Sequence, residues 1–227
     1  MIAEEYKDPN NPIPLFNMEM NRTTRCIINS FIQTTPKFLT HLKSATFSKK
    51  TLNEEELTQE FVALLRREIN GLQYPFLVGQ EYKDIYNNSK GRTDFYFYPI
   101  EEGKSTQSVF SGEAKRLPSP PPLEREQEYV IGNDKNGGIE RFKIEKHGKG
   151  LKESCVLGFV EKEGFQFWSS KINSWIIALA QKNSDWNNSE ILNMVQEKAQ
   201  YYISTSSVLR VNDPILLNHF WIYMGIN

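Results

Sequence analysis

Only two cysteines, Cys26 and Cys155, occur in 227 residues, and neither belongs to a Cys-x-x-Cys or Cys/His pattern. That argues against a disulfide framework and against a tetrahedral zinc site, both of which need clustered ligands. Histidine is equally scarce, and His41, His147 and His219 are dispersed. No apolar run approaches the ~18 residues that a membrane-crossing helix needs. There is no GxxxxGK[ST] segment, so ATP use has no motif behind it. Ser169-Ser170 and Ser204–Ser207 have no base partner at useful spacing, so serine nucleophile chemistry has no support. Excess charge of one sign is also missing. Lys plus Arg total 27 and Asp plus Glu total 28, a net charge of −1. With a pI of about 6.4, the chain is not a generic basic coat for polyanions. The start, MIAEEYKDPNNPIP, is acidic and proline-bearing, unlike a secretory leader. A cytoplasmic location is the expectation.

What is present describes a globular domain, with 39% hydrophobic, 12% aromatic and 24% charged residues. Residues 1–17 read as an extended lead because of Pro9, Pro12 and Pro14. Residues 18–48 read as one or two helical pieces, broken near Thr34-Thr35-Pro36, with Phe31, Phe38, Leu39 and Leu42 as their buried side. Over 53–70, Leu57, Phe61, Leu64 and Leu65 recur at helical spacing, behind Asn53 as N-cap and the acidic run Glu54-Glu55-Glu56. Three strands follow, at Tyr74–Tyr82, Arg92–Tyr98 and Ser108–Arg116. Pro118–Pro122 is a stiff loop. Beyond it the pattern predicts a short helix over Glu124–Tyr129, a helix over Ile139–Lys146 opened by Gly137-Gly138, and a strand over Val156–Glu161. Helices over Phe167–Gln181 and Glu190–Tyr201 come next, then two strands, Tyr202–Arg210 and Leu216–Met224. The expected organisation is an N-terminal helical extension (1–52), a core (53–185) and a C-terminal helix-and-strand extension (186–227) packed on it. Trp168, Trp175, Tyr201 and Tyr202 have the spacing of core residues.

The chemistry concentrates in GRTDFYFYP (91–99) and SVFSGEAKRL (108–117). In a strand, residues i and i+2 point the same way, so Glu113 and Lys115 lie together. If the two strands are neighbours, Asp94 converges on them. Mg²⁺ prefers hard oxygen ligands and keeps several waters, so one or two carboxylates suffice to hold it beside a phosphate. It polarises the phosphoryl oxygen and acidifies its water. An ammonium alongside can orient that water or neutralise developing charge. E-x-K is a weak motif alone, and this chain has four: Glu5–Lys7, Glu81–Lys83, Glu102–Lys104 and Glu113–Lys115. Only the last closes an apolar strand that follows an aspartate-bearing one. The competing reading is a surface Asp/Glu/Lys network on a half-exposed sheet, worth only ~0–1 kcal/mol per pair.

Asp94, Glu113-Ala114-Lys115 and the acidic helix before them resemble the PD-(D/E)XK nuclease superfamily, the restriction-endonuclease-like fold, over roughly half of the chain. The resemblance implies an α/β fold with a mixed central sheet flanked by helices and a helix, three strands, helix, strand core (αβββαβ). It implies Asp94 and Glu113 as ligands of Mg²⁺, for which Mn²⁺ can substitute, with Lys115 catalytic. Its frequent helix glutamate falls on Glu56 or Glu60, of which Glu56 lies nearer the helix start. Arg92-Thr93-Asp94 stands where the namesake proline would precede the aspartate. Gln80 is a candidate accessory residue for water or metal, against the plainer reading of an edge-strand glutamine. Arg92, Arg116, Arg141, Lys143 and Lys146 are candidate phosphate contacts, against the plainer reading of a solvated charged face; Arg141 stands out because it lies near a helix start. The implied activity is hydrolysis of DNA phosphodiester bonds, in prokaryotic restriction or anti-phage defence. A repair or recombination nuclease is possible on the same chemistry. DNA is the expected partner, with a homodimer or a DNA-delivering protein as further candidates. The alternative from another class is a non-catalytic module that binds nucleic acid or protein on the same scaffold.

Overall fold

The computed structural model describes residues 20–47, 50–101, 103, 105–122 and 125–225. The lead expected over 1–17 therefore lies outside the described residues, as do Glu5–Lys7, Glu102, Lys104 and Glu124. In chain order the elements are α1 (Arg22–Leu42), α2 (Glu54–Gly71), β1 (Phe76–Lys83), β2 (Arg92–Pro99), β3 (Phe110–Leu117), α3 (Gly138–Lys143), β4 (Glu153–Val160), α4 (Phe165–Lys182), β5 (Asn193–Glu197), β6 (Tyr201–Val208) and β7 (Ile215–Tyr223). The strands form one sheet in the order β1-β2-β3-β4-β7-β6-β5. β3, β4 and β7 run parallel, and the pairs outside them are antiparallel. The class is α/β, a mixed sheet flanked by helices, and from α2 to β4 the order is helix, three strands, helix, strand. Among the described residues no helix is long and apolar enough to cross a membrane.

Alternation along β4 shows how the sheet splits the interior. Cys155, Leu157 and Phe159 join one apolar cluster, while Val156 and Val160 join another, as a two-residue period requires. The first cluster lies under α1 and α2. Its centre is Phe31, whose ring packs edge-on or tilted against Phe61, Phe95, Phe97 and Phe220. The second is closed by α3 and α4 through Ile139, Phe142, Trp168, Ile172 and Ile176.

Four expectations need correction. The helix expected to be an extension, α1, carries Phe31 and Phe38 into the centre of the first cluster. It also runs unbroken through Pro36; the adjacent Thr35 hydroxyl donates to the Phe31 carbonyl, 2.8 Å away, within that turn. No helix spans Glu190–Tyr201: a single 3₁₀ turn at Asn188–Glu190 leads into β5. A bulge between Met194 and Gln196 breaks the alternation that would mark this strand. Nor is the C-terminal segment packed outside the core, because β7 inserts between β4 and β6.

β7 brings a buried histidine into the second layer. Trp221 Nε1 donates to the Tyr129 hydroxyl at 2.7 Å. That hydroxyl then donates to His219 Nδ1 at 2.8 Å, which leaves Nε2–H to donate to Ser206 Oγ at 2.9 Å. Burial pushes the His219 imidazole down to about 3. The unfolded chain takes up this proton near pH 6.5 and the folded one does not, so the contribution to stability is complete above that pH and is lost as pH falls towards 3. Between pH 7 and 4.5 the expected loss is on the order of 3 kcal/mol. Urea unfolding of the wild type and His219→Gln at both pH values checks it. The variant should lose less stability on acidification, and an unchanged difference would refute the assignment.

Candidate active site

β2 and β3 pair through Phe95↔Gly112, Tyr96↔Ser111 and Phe97↔Phe110, and then part. β3 continues against β4 as far as Leu117↔Val160. Beyond Gly112 its other edge therefore has main-chain donors without a strand partner, which must be satisfied. Two carboxylates take them. The Ala114 amide donates to Asp94 Oδ2 at 2.7 Å, and the Arg116 amide donates to Glu54 Oε2 at 2.9 Å. The point where β2 leaves β3 is thus where acidic side chains collect.

Glu113 is fully buried beside them. Lys115 Nζ lies 2.9 Å from its Oε1, and the Arg141 guanidinium reaches the same oxygen. His147 Nδ1 stands 3.1 Å from Oε2. That approach is out of line for a hydrogen bond, and both atoms remain buried without a directed partner. The Lys115 ammonium meets three oxygens: Glu113 Oε1, Glu54 Oε1 at 3.0 Å and the Ala114 carbonyl at 2.8 Å. Asp94, Glu113 and Lys115, singled out from the sequence, are therefore gathered along one short stretch of β3.

The electrostatics follow from this crowding. Burial alone would raise the Glu113 carboxyl, but Lys115, His147 and Arg141 outweigh it and hold it down at about 2. Burial would lower the Lys115 ammonium, and the carboxylates of Glu113, Glu54 and Asp94 outweigh it, so its pKa sits above the ordinary lysine value. Asp94 goes the other way. Burial and the Glu113 charge push it up to about 7, against the opposing pull of Lys115 and the Ala114 amide.

No family model, curated protein or solved structure matches the chain.

Several expected site residues lie elsewhere. Glu56 is consumed by the N-terminus of α2: its Oε2 accepts from the Asn53 amide at 2.8 Å, and Asn53 Oδ1 accepts from the Glu56 amide at 2.9 Å, a reciprocal capping box. Glu60 pairs with His41 Nε2 at 2.9 Å. The helix acid that reaches β3 is Glu54. Lys143 is buried against Glu190 at 2.6 Å, so it is not a phosphate contact. Arg116 is closed onto Glu161 by two hydrogen bonds of 2.6 and 2.7 Å. Arg141 serves the site itself. Arg92 is exposed and pairs with Glu81 at 3.0 Å; Lys146 bonds Asn136. Gln80 lines a cleft of about 450 Å³ with Glu54, Glu55, Thr58, Gln59, Glu81 and Asp94.

Sequence reasoning missed Glu54 and His147. Glu54 is the first residue of α2, where the helix dipole alone accounts for an acidic residue. The signal for His147 is Gly91. A Cβ there would strike the His147 ring and the Lys146 carbonyl, and the Gly91 amide donates to that carbonyl at 3.1 Å. Glycine before β2 lets the two loops touch and seats the imidazole on Glu113.

The residues suit a hard divalent cation on two observations. Glu113 Oε2 is a buried oxygen without a directed donor, and Asp94 brings a second carboxylate to the same stretch of β3, where it bonds the Ala114 amide. Among the described residues no three His, Cys, Asp or Glu side chains are grouped to hold a metal. A cation here would rest on Asp94 and Glu113, with water completing its shell, which suits Mg²⁺ better than zinc.

Proposed function

We propose that this chain is a divalent-metal-dependent nuclease that hydrolyses DNA phosphodiester bonds, built on the αβββαβ core of the PD-(D/E)XK nucleases. The observation that carries the reading is the opened edge of β3, where Asp94 bonds the amide between Glu113 and Lys115 at 2.7 Å. Asp94 and Glu113 hold Mg²⁺ or Mn²⁺, which when bound polarises a phosphoryl oxygen and acidifies a water. Lys115 remains an ammonium among its carboxylates, so it donates hydrogen bonds to water or to the phosphate oxygens and is not the base. Glu54 fixes Lys115 from the other side. The cleft beside the site carries Glu54, Glu55, Glu81 and Asp94. Such a wall repels a polyanion until a cation is present, which supports metal dependence. A role in prokaryotic restriction or anti-phage defence follows from the resemblance.

Plasmid, linear and single-stranded DNA incubated with Mg²⁺, Mn²⁺ or EDTA tests this. Cleavage with either metal and none with EDTA is expected. Intact DNA under every condition at high protein excess favours a binding module, a reading that gains some support from the ion pairs already neutralising Glu113. The helix acids give a second test. Glu54→Gln is expected to slow cleavage by at least about tenfold, because the carboxylate charge beside Lys115 is lost and one amide oxygen cannot serve both Lys115 and the Arg116 amide. Glu56→Gln should cost up to about 1 kcal/mol of stability through the cap, with the rate nearly kept, and Glu60→Gln should do little to either. A rate collapse in Glu56→Gln or Glu60→Gln alone would reverse the assignment.

A further inference from the structure

The charge of the cluster does not close around a cation. Glu54, Asp94 and Glu113 bring three negative charges when ionised, and Lys115 and Arg141 bring two positive ones. By formal charge, with histidine counted as neutral, the balance is −1 (two minus three). A divalent cation takes it to +1, and one phosphodiester charge returns it to zero. With the cation in place and no substrate, one positive side chain is surplus.

Lys115 is poorly suited to leave. Its side chain is 8% exposed and meets three oxygens. Arg141 is better suited. Its side chain is 22% exposed, it holds Glu113 through Nη1 alone, and its Nε is buried without an acceptor. A guanidinium satisfied by a carboxylate would normally use two parallel bonds, so this one is under-used. Its main chain is fixed. α3 begins at glycine because a Cβ at Gly138 would meet the Tyr129 carbonyl at 2.9 Å and Lys115 Cγ at 3.3 Å. The amides of Gly138, Ile139 and Glu140 donate to the carbonyls of Glu128, Tyr129 and Val130 at 2.8, 3.1 and 3.0 Å. Only the side chain is left to move.

We infer that Arg141 is an exchangeable counter-ion. Its guanidinium neutralises Glu113 in the cation-free protein, releases that carboxylate to a divalent cation, and then pairs with the phosphodiester of the substrate. This rests on the nuclease reading and adds an order of events to it: Arg141 competes with metal and co-operates with substrate.

The test is Mn²⁺ binding by calorimetry, without DNA, on the full chain of the wild type, Arg141→Gln and Arg141→Lys. Removing a positive charge at this distance should tighten Mn²⁺ binding by about tenfold in Arg141→Gln, with Arg141→Lys near the wild type. DNA affinity measured in Ca²⁺ should fall about tenfold in Arg141→Gln, because a phosphate contact is lost. Equal or weaker Mn²⁺ binding in a folded Arg141→Gln overturns the exchange while leaving a metal nuclease standing. Failure of all three proteins to bind Mn²⁺ overturns the exchange and the metal-dependent reading together. Should Arg141→Gln not fold, the arginine Nε–H resonance of the wild type decides: it should shift on adding Mg²⁺, and an unmoved signal overturns the inference.

Discussion

Lys115→Met is expected to slow DNA hydrolysis by about 10²–10³-fold at saturating Mg²⁺, the usual loss when a preorganised charge near a reacting phosphate is removed. The expectation rests on where the ammonium sits, within 3.0 Å of Glu113, Glu54 and the Ala114 carbonyl at once. Three fixed acceptors around one nitrogen leave it little freedom, so its field is aimed before substrate arrives. Methionine keeps most of the volume and removes the charge. Glu113 would still be neutralised by Arg141, so the fold should survive; thermal unfolding measured beside the rate checks this. Lys115→Arg should rescue poorly, because a planar guanidinium cannot present three donors about a point. A Lys115→Met protein that cleaves within threefold of wild type would remove the ammonium from the chemistry, and the opened strand edge would lose its proposed use.

The residues that proved legible in the sequence were those whose role depends on local spacing. Glu113 and Lys115 are two apart in a regular strand, and Asp94 lies on the neighbouring strand, so period and order sufficed to bring them together. The stripe of α2 and its Asn53 cap were legible for the same reason. What failed depended on contacts distant in sequence. Glu56 lies close to the helix start, but its position three residues after the cap directs its carboxylate back to Asn53. Glu54, two residues earlier, remains free to cross to β3, which only the packing of α2 on the sheet reveals. Lys143 resembled its neighbours in a basic run, and its partner Glu190 lies 47 residues away. The bulge in β5 and the insertion of β7 between β4 and β6 likewise have no local signature.

Glu190→Ala is expected to remove about 3–5 kcal/mol of unfolding free energy, the range for stripping one partner from a buried ion pair. Glu190 is fully buried. Its Oε1 accepts from Lys143 Nζ and from the Leu209 amide, both at 2.6 Å, and its Oε2 accepts from the Asn187 amide at 3.1 Å. Lys143 Nζ also donates to the Leu209 carbonyl at 3.0 Å and lies 5.0 Å from the centre of the Trp186 ring. One carboxylate thus ties α3 to the turn before β5 and to the end of β6. Two terms enter the loss, an unpaired buried ammonium and two orphaned amides, and Lys143→Met combined with Glu190→Gln separates them. The glutamine carbonyl can still accept from an amide, and no charge is left buried, so urea unfolding of the double variant should come within about 2 kcal/mol of wild type. Should it be as unstable as Glu190→Ala, the amides rather than the lone ammonium set the cost. The consequence reaches the site, because Arg141 lies two residues before Lys143 on the same short helix. If the pair acts only as a clamp, the double variant should recover its Mn²⁺ affinity along with its stability.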